Sequence, residues 1–416
     1  PETVRDRETA VTGLRGRLAS AVERRSRDGP TGVLLSGGID SSAVAGVAAE
    51  LSAGDGAGPR AYSAVFPLHP RADESRLIDS LVTSLRLEGV RIEVEGGSPL
   101  GGSLDYLAEY QLPPSSPNLF FWIPLLRRAR ADGVTALMDG EGGDEVMGTP
   151  YYLLGDRVRR GRLADAVGLA RRFPGAGENL PLRSVLSVLR DYGLRGALRA
   201  GEPRGFRPPP AWLAPSMQSA YLDSEDPWEW ARAPGPRWWA QLVRALTSSG
   251  GSVLGRDQVR HRSTLVGLEA SHPLLDLDLV EYVFSLDPAL AFDRHLSRPL
   301  LRAAVEGLIP DAVRLRPWKT NLDTVFHSGL ETDRAAIERL LGDSRAEVRA
   351  YVDPAGVKHE LLDAPSAGFA SGKQARGIYV WRLATAECWL RAQDDPDAPR
   401  RALEDSQPAR YAIRPQ

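Results

Sequence analysis

The stretch Ser36-Gly37-Gly38-Ile39-Asp40-Ser41-Ser42 constrains this chain more than any other. It follows the apolar run Gly32 to Leu35 and opens a small-residue helix expected from Ala43 to Ala49 and on to about Leu51. A strand, a glycine turn and a helix N-terminus in that order form a phosphate cradle. The N–H groups there lack intrahelical partners, the helix dipole favours anions, and glycine lets a phosphate approach the main chain closely.

Two other cradles leave signatures that are missing. A Walker-type loop ends in Gly-Lys-Ser or Gly-Lys-Thr, and a dinucleotide fold reads G-x-G-x-x-G. The motif S-G-G-x-D-S-S instead resembles the pyrophosphate loop of enzymes that split ATP into AMP and pyrophosphate. Its three hydroxyls can donate to phosphate oxygens, and Asp40 is placed to hold Mg²⁺ against the leaving pyrophosphate. ATP is the expected occupant.

The chain has 416 residues, enough for one large or two ordinary domains, and 42% hydrophobic residues, enough for a substantial core. A formal charge of −2 gives no reason to expect nucleic acid as a partner. Cys388 is the one cysteine, which excludes a disulfide framework, a multi-thiolate zinc site and a C-x-x-C redox pair, and fits a reducing cytoplasm. There is neither an apolar run of about 18 residues nor a signal-peptide pattern, so a soluble, non-secreted protein is expected. Of the 52 basic residues three are lysines, Lys319, Lys358 and Lys373, so each lysine invites a question.

From Thr31 the pattern alternates strand and helix. Strands are expected at Gly32 to Leu35, Ala61 to Phe66, Val90 to Val94 and Val134 to Met138, with helices at Asp73 to Leu87 and Leu119 to Ala131 between the later ones. This predicts an α/β fold with a doubly wound parallel sheet, whose ligands sit beyond the carboxyl ends of the strands. Residues 1–151 form the expected ATP-binding core. Residues 152–250 read as a helical insertion, including Leu163 to Arg172 and Leu182 to Leu198, without strands. Trp228, Trp230, Trp238 and Trp239 fall there and read first as aromatic packing, with a peptide-binding wall as the alternative. Residues 251–392 read as C-terminal amphipathic helices and 393–416 as a polar tail.

The second motif is Asp139-Gly140-Glu141-Gly142-Gly143-Asp144-Glu145, directly after the fourth strand. Its four carboxylates repel one another without a cation, and its glycines let the loop curl round a ligand. With the first loop at the same sheet edge, a shared metal is expected.

At this point the chain resembles the synthetase domain of the asparagine synthetase superfamily, which includes the β-lactam synthetases and the lasso peptide macrolactam cyclases. S-G-G-I-D-S-S fits the family's ATP loop and G-E-G-G-D-E its acidic loop. Gly267 to Asp276 fits its helix-opening signature, and Leu300 to Pro310 with Arg314 to Lys319 its C-terminal pattern. The resemblance implies a PP-loop ATP pyrophosphatase fold with a large helical lobe. It implies that Ser36, Gly37, Gly38, Asp40, Ser41, Ser42 and Gly140 bind the nucleotide, that Leu34 and Val65 contact adenosine, and that Asp40 and Asp144 hold Mg²⁺. Lys319 matches a lysine that stabilises charge along the acyl-adenylate path, where a compact ammonium suits a crowded phosphate better than arginine. Glu141 matches the position that deprotonates the attacking amine, and Glu269 is the expected residue to orient it.

Departures from the pattern bear on the substrate. The cysteine-headed glutaminase domain of glutamine-using asparagine synthetases is missing from this sequence, which is expected either to have lost it or never to have had it. Ser271-His272 replaces the family's Arg-Val before Pro273, and Asp139 stands where asparagine synthetases often have serine. The ending Trp381 to Arg391 looks most like lasso cyclases. The expected substrate is therefore a linear precursor peptide, with a leader-binding protein and a leader peptidase as partners. An asparagine or β-lactam synthetase acting on a small amino acid, and a catalytically silent scaffold, are the competing expectations. A tRNA-thiolating relative is disfavoured because Cys388 falls among apolar residues of the last helix.

Overall fold

A computed structural model describes residues 3–26, 29–53, 58–174, 181–199, 208–224, 229–247, 250–317, 320–362 and 374–404. Its centre is a five-stranded, wholly parallel sheet in the order β3-β2-β1-β4-β5. The strands are β1 (Thr31–Leu34), β2 (Arg60–Val65), β3 (Glu88–Glu93), β4 (Ala136–Met138) and β5 (Glu269–Ser271). Four stand within a few residues of their expected places. β5 was not expected, and Glu269 begins this strand rather than a helix.

The order carries the functional geometry. From β1 the chain winds outward through β2 to β3, then returns to the other side of β1 for β4. Val33 registers with Ala61 on one side and Met138 on the other, and Met138 with Ser271. Between β1 and β4 the winding reverses, which opens a crevice at the carboxyl edge.

Helices cover both faces, and strand alternation decides which side chain meets which. Val33, Leu35, Ala61, Val65 and Met138 join the core under α1 (Arg7–Ser26) and α2 (Ile39–Ser52). Leu34, Tyr62, Val90, Ile92 and Leu137 join the core under α5 (Leu119–Ala131) on the other side. α1 buries Ala10, Leu14, Leu18 and Val22 along one face, as a four-residue step on a 3.6-residue helix dictates. α2 is made of small residues for a steric reason: a Cβ on Gly46 would lie 2.6 Å from Ile309 Cγ2.

Outside the sheet, a further core joins the helices Asp323–Gly342 and Gln374–Asp394 around Trp381. The expected polar tail opens with one more helix, Ala398–Glu404, whose Leu403 is buried in that core, and residues 405–416 lie outside the described ones. In the insertion, Leu182 to Leu198 is helical throughout, with a wider π turn at Leu189–Leu194. Trp230 is buried beside Tyr152 and Trp238 packs against Leu153 and Leu154, whereas Trp239 is 39% exposed. Trp228 lies outside the described residues.

Candidate active site

The first loop joins β1 to α2, with Gly38 in extended geometry as the residue that caps the helix. Ser41 Oγ accepts the Ser36 N–H at 3.2 Å and lies 2.9 Å from Ser36 Oγ, which accepts the Gly38 N–H. Ser36 and Ser41 face the crevice. Ser42 does not: fully buried, its hydroxyl donates to Gly38 O at 2.7 Å, so it ties down the first helical turn. Gly37 is gripped from outside. Its N–H donates to Glu74 Oε2 at 2.9 Å, and Arg316 Nη1 donates to Glu74 Oε1 and to Gly37 O.

The second loop follows β4 and lies against the first. A Cβ on Gly140 would come 2.6 Å from Ser41 N, and one on Gly143 2.5 Å from Asp40 Cγ. Both glycines are therefore required by the contact between loops. Gly142 has φ +89°, a left-handed backbone that glycine adopts without strain. Asp139 continues the β4–β5 ladder through its N–H to Ser271 O. Its Oδ1 accepts the Glu141 N–H at 3.0 Å and lies 2.8 Å from His272 Nδ1. Asp139 and His272, both departures from the family pattern, thus meet as a pair.

Arg298 reaches between the loops. Its Nε lies 2.8 Å from Asp40 Oδ1 and its Nη2 pairs with Asp144, from a backbone at φ +55°. The carboxylates expected to share Mg²⁺ already share a cation. No group of three or more His, Cys, Asp or Glu side chains forms a metal cluster among the described residues. Two carboxylates suit Mg²⁺, which keeps waters and takes its remaining ligands from substrate phosphates.

Titration behaviour follows from these contacts. Burial raises the Glu141 pKa, and the charges of Asp139 and Glu145 raise it further against the opposing pull of His272 and Arg262. For His272 burial favours the neutral ring, but the Asp139 hydrogen bond and the charges of Asp139 and Glu141 outweigh it, and the pKa rises.

Between the loops opens a cavity of about 360 Å³. Leu34, Tyr62, Ala64, Phe66, Phe121 and Leu125 give it an apolar wall, which suits a purine ring, and the two loops give it a polar floor. Of the expected residues, Leu34, Ser36, Gly38, Asp40, Ser41, Gly140, Glu141 and Asp144 line it. Three do not. Val65 packs under α1 and α2 because alternation sends Ala64 and Phe66 to the cavity in its place. Ser42 turns into its own helix, and Glu269, exposed and paired in register with Ala136, stands at the amino end of β5 away from the carboxyl-edge crevice. Lys319 lies outside the described residues, while Arg316 before it holds Gly37 of the first loop and Thr320 after it lines the cavity. Glu74, Arg262, Arg298 and Arg316 went unforeseen as site residues, since each reaches the site from a segment distant in sequence from both loops.

A parallel sheet whose winding reverses beside a hydroxyl loop, with an acidic loop pressed against it, defines a synthetase fold of the PP-loop type. Residues 13–391 match the asparagine synthase family, and the chain belongs to it. Members of that family are ATP-dependent ligases, and they use ATP with Mg²⁺. A Penicillium rubens protein named Amidase chyE is 28% identical over 152 residues, 34% of this chain and 23% of that protein's length. No helix among the described residues is long and apolar enough to cross a membrane.

Proposed function

We propose that this protein is an AMP-forming amide synthetase that closes a macrolactam in a linear peptide, as lasso peptide cyclases do. The observation that carries the reading is the packing of Gly140 and Gly143 on Asp40 and Ser41, which sets the phosphate loop and Glu141 in one cavity. A carboxylate oxygen of the donor attacks the α-phosphorus of ATP and pyrophosphate leaves. The amine then attacks the acyl carbon, the amide C–N bond forms, AMP leaves with its electron pair, and Glu141 takes the ammonium proton.

Each residue has a physical task. Ser36, Ser41 and the N-terminus of α2 bind the phosphates, and Asp40 and Asp144 would hold Mg²⁺, which supplies neutralising charge for the leaving pyrophosphate. Glu141 fits a base because its raised pKa brings it nearer the amine's. Holding both ends of one peptide in a closed pocket contributes several kcal/mol through proximity alone. A peptide, and with it a leader-binding protein and a leader peptidase, is favoured by the Asp139–His272 pair standing where small-substrate relatives have serine and valine.

The test is AMP release from Mg·ATP with linear peptides carrying an Asp or Glu near the N-terminus, against free aspartate with ammonia. The expected product is a peptide lighter by one water. Release with aspartate alone would assign a small amino acid as donor, and no binding of Mg·ATP would leave the scaffold reading.

A further inference from the structure

Nucleotide chemistry leaves Arg262 unexplained. It lies near the end of the helix Gly250–Thr264, is 8% exposed, and lines the cavity beside the acidic loop. Its guanidinium sits 3.9 Å from the centroid of the Trp122 ring, which fixes its plane and leaves the edge donors to be used. Its buried Nε has no hydrogen-bond partner among the described residues. Burial pulls its pKa down to about 10 while the charges of Asp139 and Glu141 act the other way, so the group stays cationic at neutral pH. A buried guanidinium with an unpaired donor is costly to leave unanswered, and an acceptor meeting its fork offsets part of that cost.

The cavity selects what that acceptor is. Its walls carry the carboxylates of Asp40, Glu74, Asp139, Glu141, Asp144 and Glu145, and Arg262 is the one lining cation among the described residues. Arg298 and Arg316 stand behind that wall and are engaged with Asp40, Asp144 and Glu74, so the cation that an anionic acyl donor meets in the lining is this guanidinium. Nucleotide phosphates are served by the Ser36–Ser42 loop, and Arg262 stands on the acidic-loop side, in electrostatic reach of Glu141. We infer that Arg262 anchors the carboxylate of the acyl donor through its planar fork, which makes it the residue that selects a carboxylate over an amide; this rests on the amide-synthetase reading. The hold belongs to the ground state. Once the carboxylate oxygen is bonded to AMP its charge is gone, the grip on Arg262 weakens, and the acyl carbon is presented beside the base.

The experiment uses the full chain and titration calorimetry without nucleotide. Probes are a linear peptide with a single Asp and its Asn counterpart; free aspartate and asparagine serve if the wild type binds neither peptide. Wild-type protein is expected to prefer the Asp form by roughly ten- to a hundredfold. Arg262→Gln is expected to bind both forms equally while Mg·ATP affinity stays within about twofold; with an active donor, KM rises and kcat changes little. A retained Asp preference in Arg262→Gln overturns the inference, as does a wild type that binds no carboxylate probe. If the wild type binds aspartate but not the peptide, the peptide reading fails and the anchor is judged on aspartate. Should Arg262→Gln fail to fold, Arg262→Lys decides: roughly tenfold weaker Asp binding with Mg·ATP unchanged supports the anchor, and unchanged Asp binding refutes it.

Discussion

The two loops that meet at the carboxyl edge are stabilised in opposite ways. The Ser36–Ser42 loop ties its serine hydroxyls to one another and to its own backbone, and takes outside partners at two points, Gly37 from Glu74 and Arg316 and Asp40 from Arg298. The Asp139–Glu145 loop is an excess of charge whose counter-ions come from far along the chain: His272 is 133 residues from Asp139, and Arg298 is 154 from Asp144. A loop tied partly by its own hydrogen bonds holds part of its shape locally. One balanced from outside takes its shape only inside the assembled fold, and so combines a raised carboxylate pKa with fixed geometry.

The sharpest way to break this contrast is at Glu141. Glu141→Gln keeps shape and removes the proposed base, so turnover is expected to fall about 10²–10⁴-fold while calorimetric Mg·ATP affinity holds. The pH–rate profile carries the sign. Glu141 must be ionised, its pKa is raised, and activity is lost as pH falls through that raised value. His272→Ala removes a group whose charge lowers it, so the acid limb moves to higher pH.

Next in size is the contact between loops. Gly140→Ala drives a Cβ into the Ser41 and Asp40 backbone, an overpacking expected to cost about 1–3 kcal/mol in denaturant unfolding. An unchanged midpoint would mean that the loops are not pressed together. Ser42→Ala removes the Ser42–Gly38 bond and is expected to cost about 1 kcal/mol of stability while nucleotide affinity moves less than for Ser41→Ala. Equal losses of affinity would return Ser42 to the phosphate site. Smallest of all, Glu269→Gln is expected to leave turnover within about twofold, since Glu269 is exposed at the far end of β5.

The same contrast explains what could be read from the sequence. Four strands and both loops announce themselves in consecutive residues: an apolar run, then glycines, then hydroxyls or carboxylates. β5 escaped because three residues with an exposed glutamate at their head give no apolar run, and the strand exists only by pairing with β4. Arg262, Arg298 and Arg316 escaped because one arginine among 49 carries no signal until the fold brings it beside a carboxylate. One clue was legible. Asp139 and His272 depart from the family pattern together, as expected of two side chains in contact.

Arg316 holds the carbonyl of Gly37 across 279 residues of chain. Such a contact has a kinetic meaning. Closing a loop of that length costs conformational entropy that no local bond repays, and contacts of high sequence separation slow folding. On a ribosome the glycine turn emerges 279 residues ahead of Arg316 and waits, ungripped, while that stretch is made. The grip on the glycine turn is therefore acquired only after the acidic loop at Asp139–Glu145 has already been made.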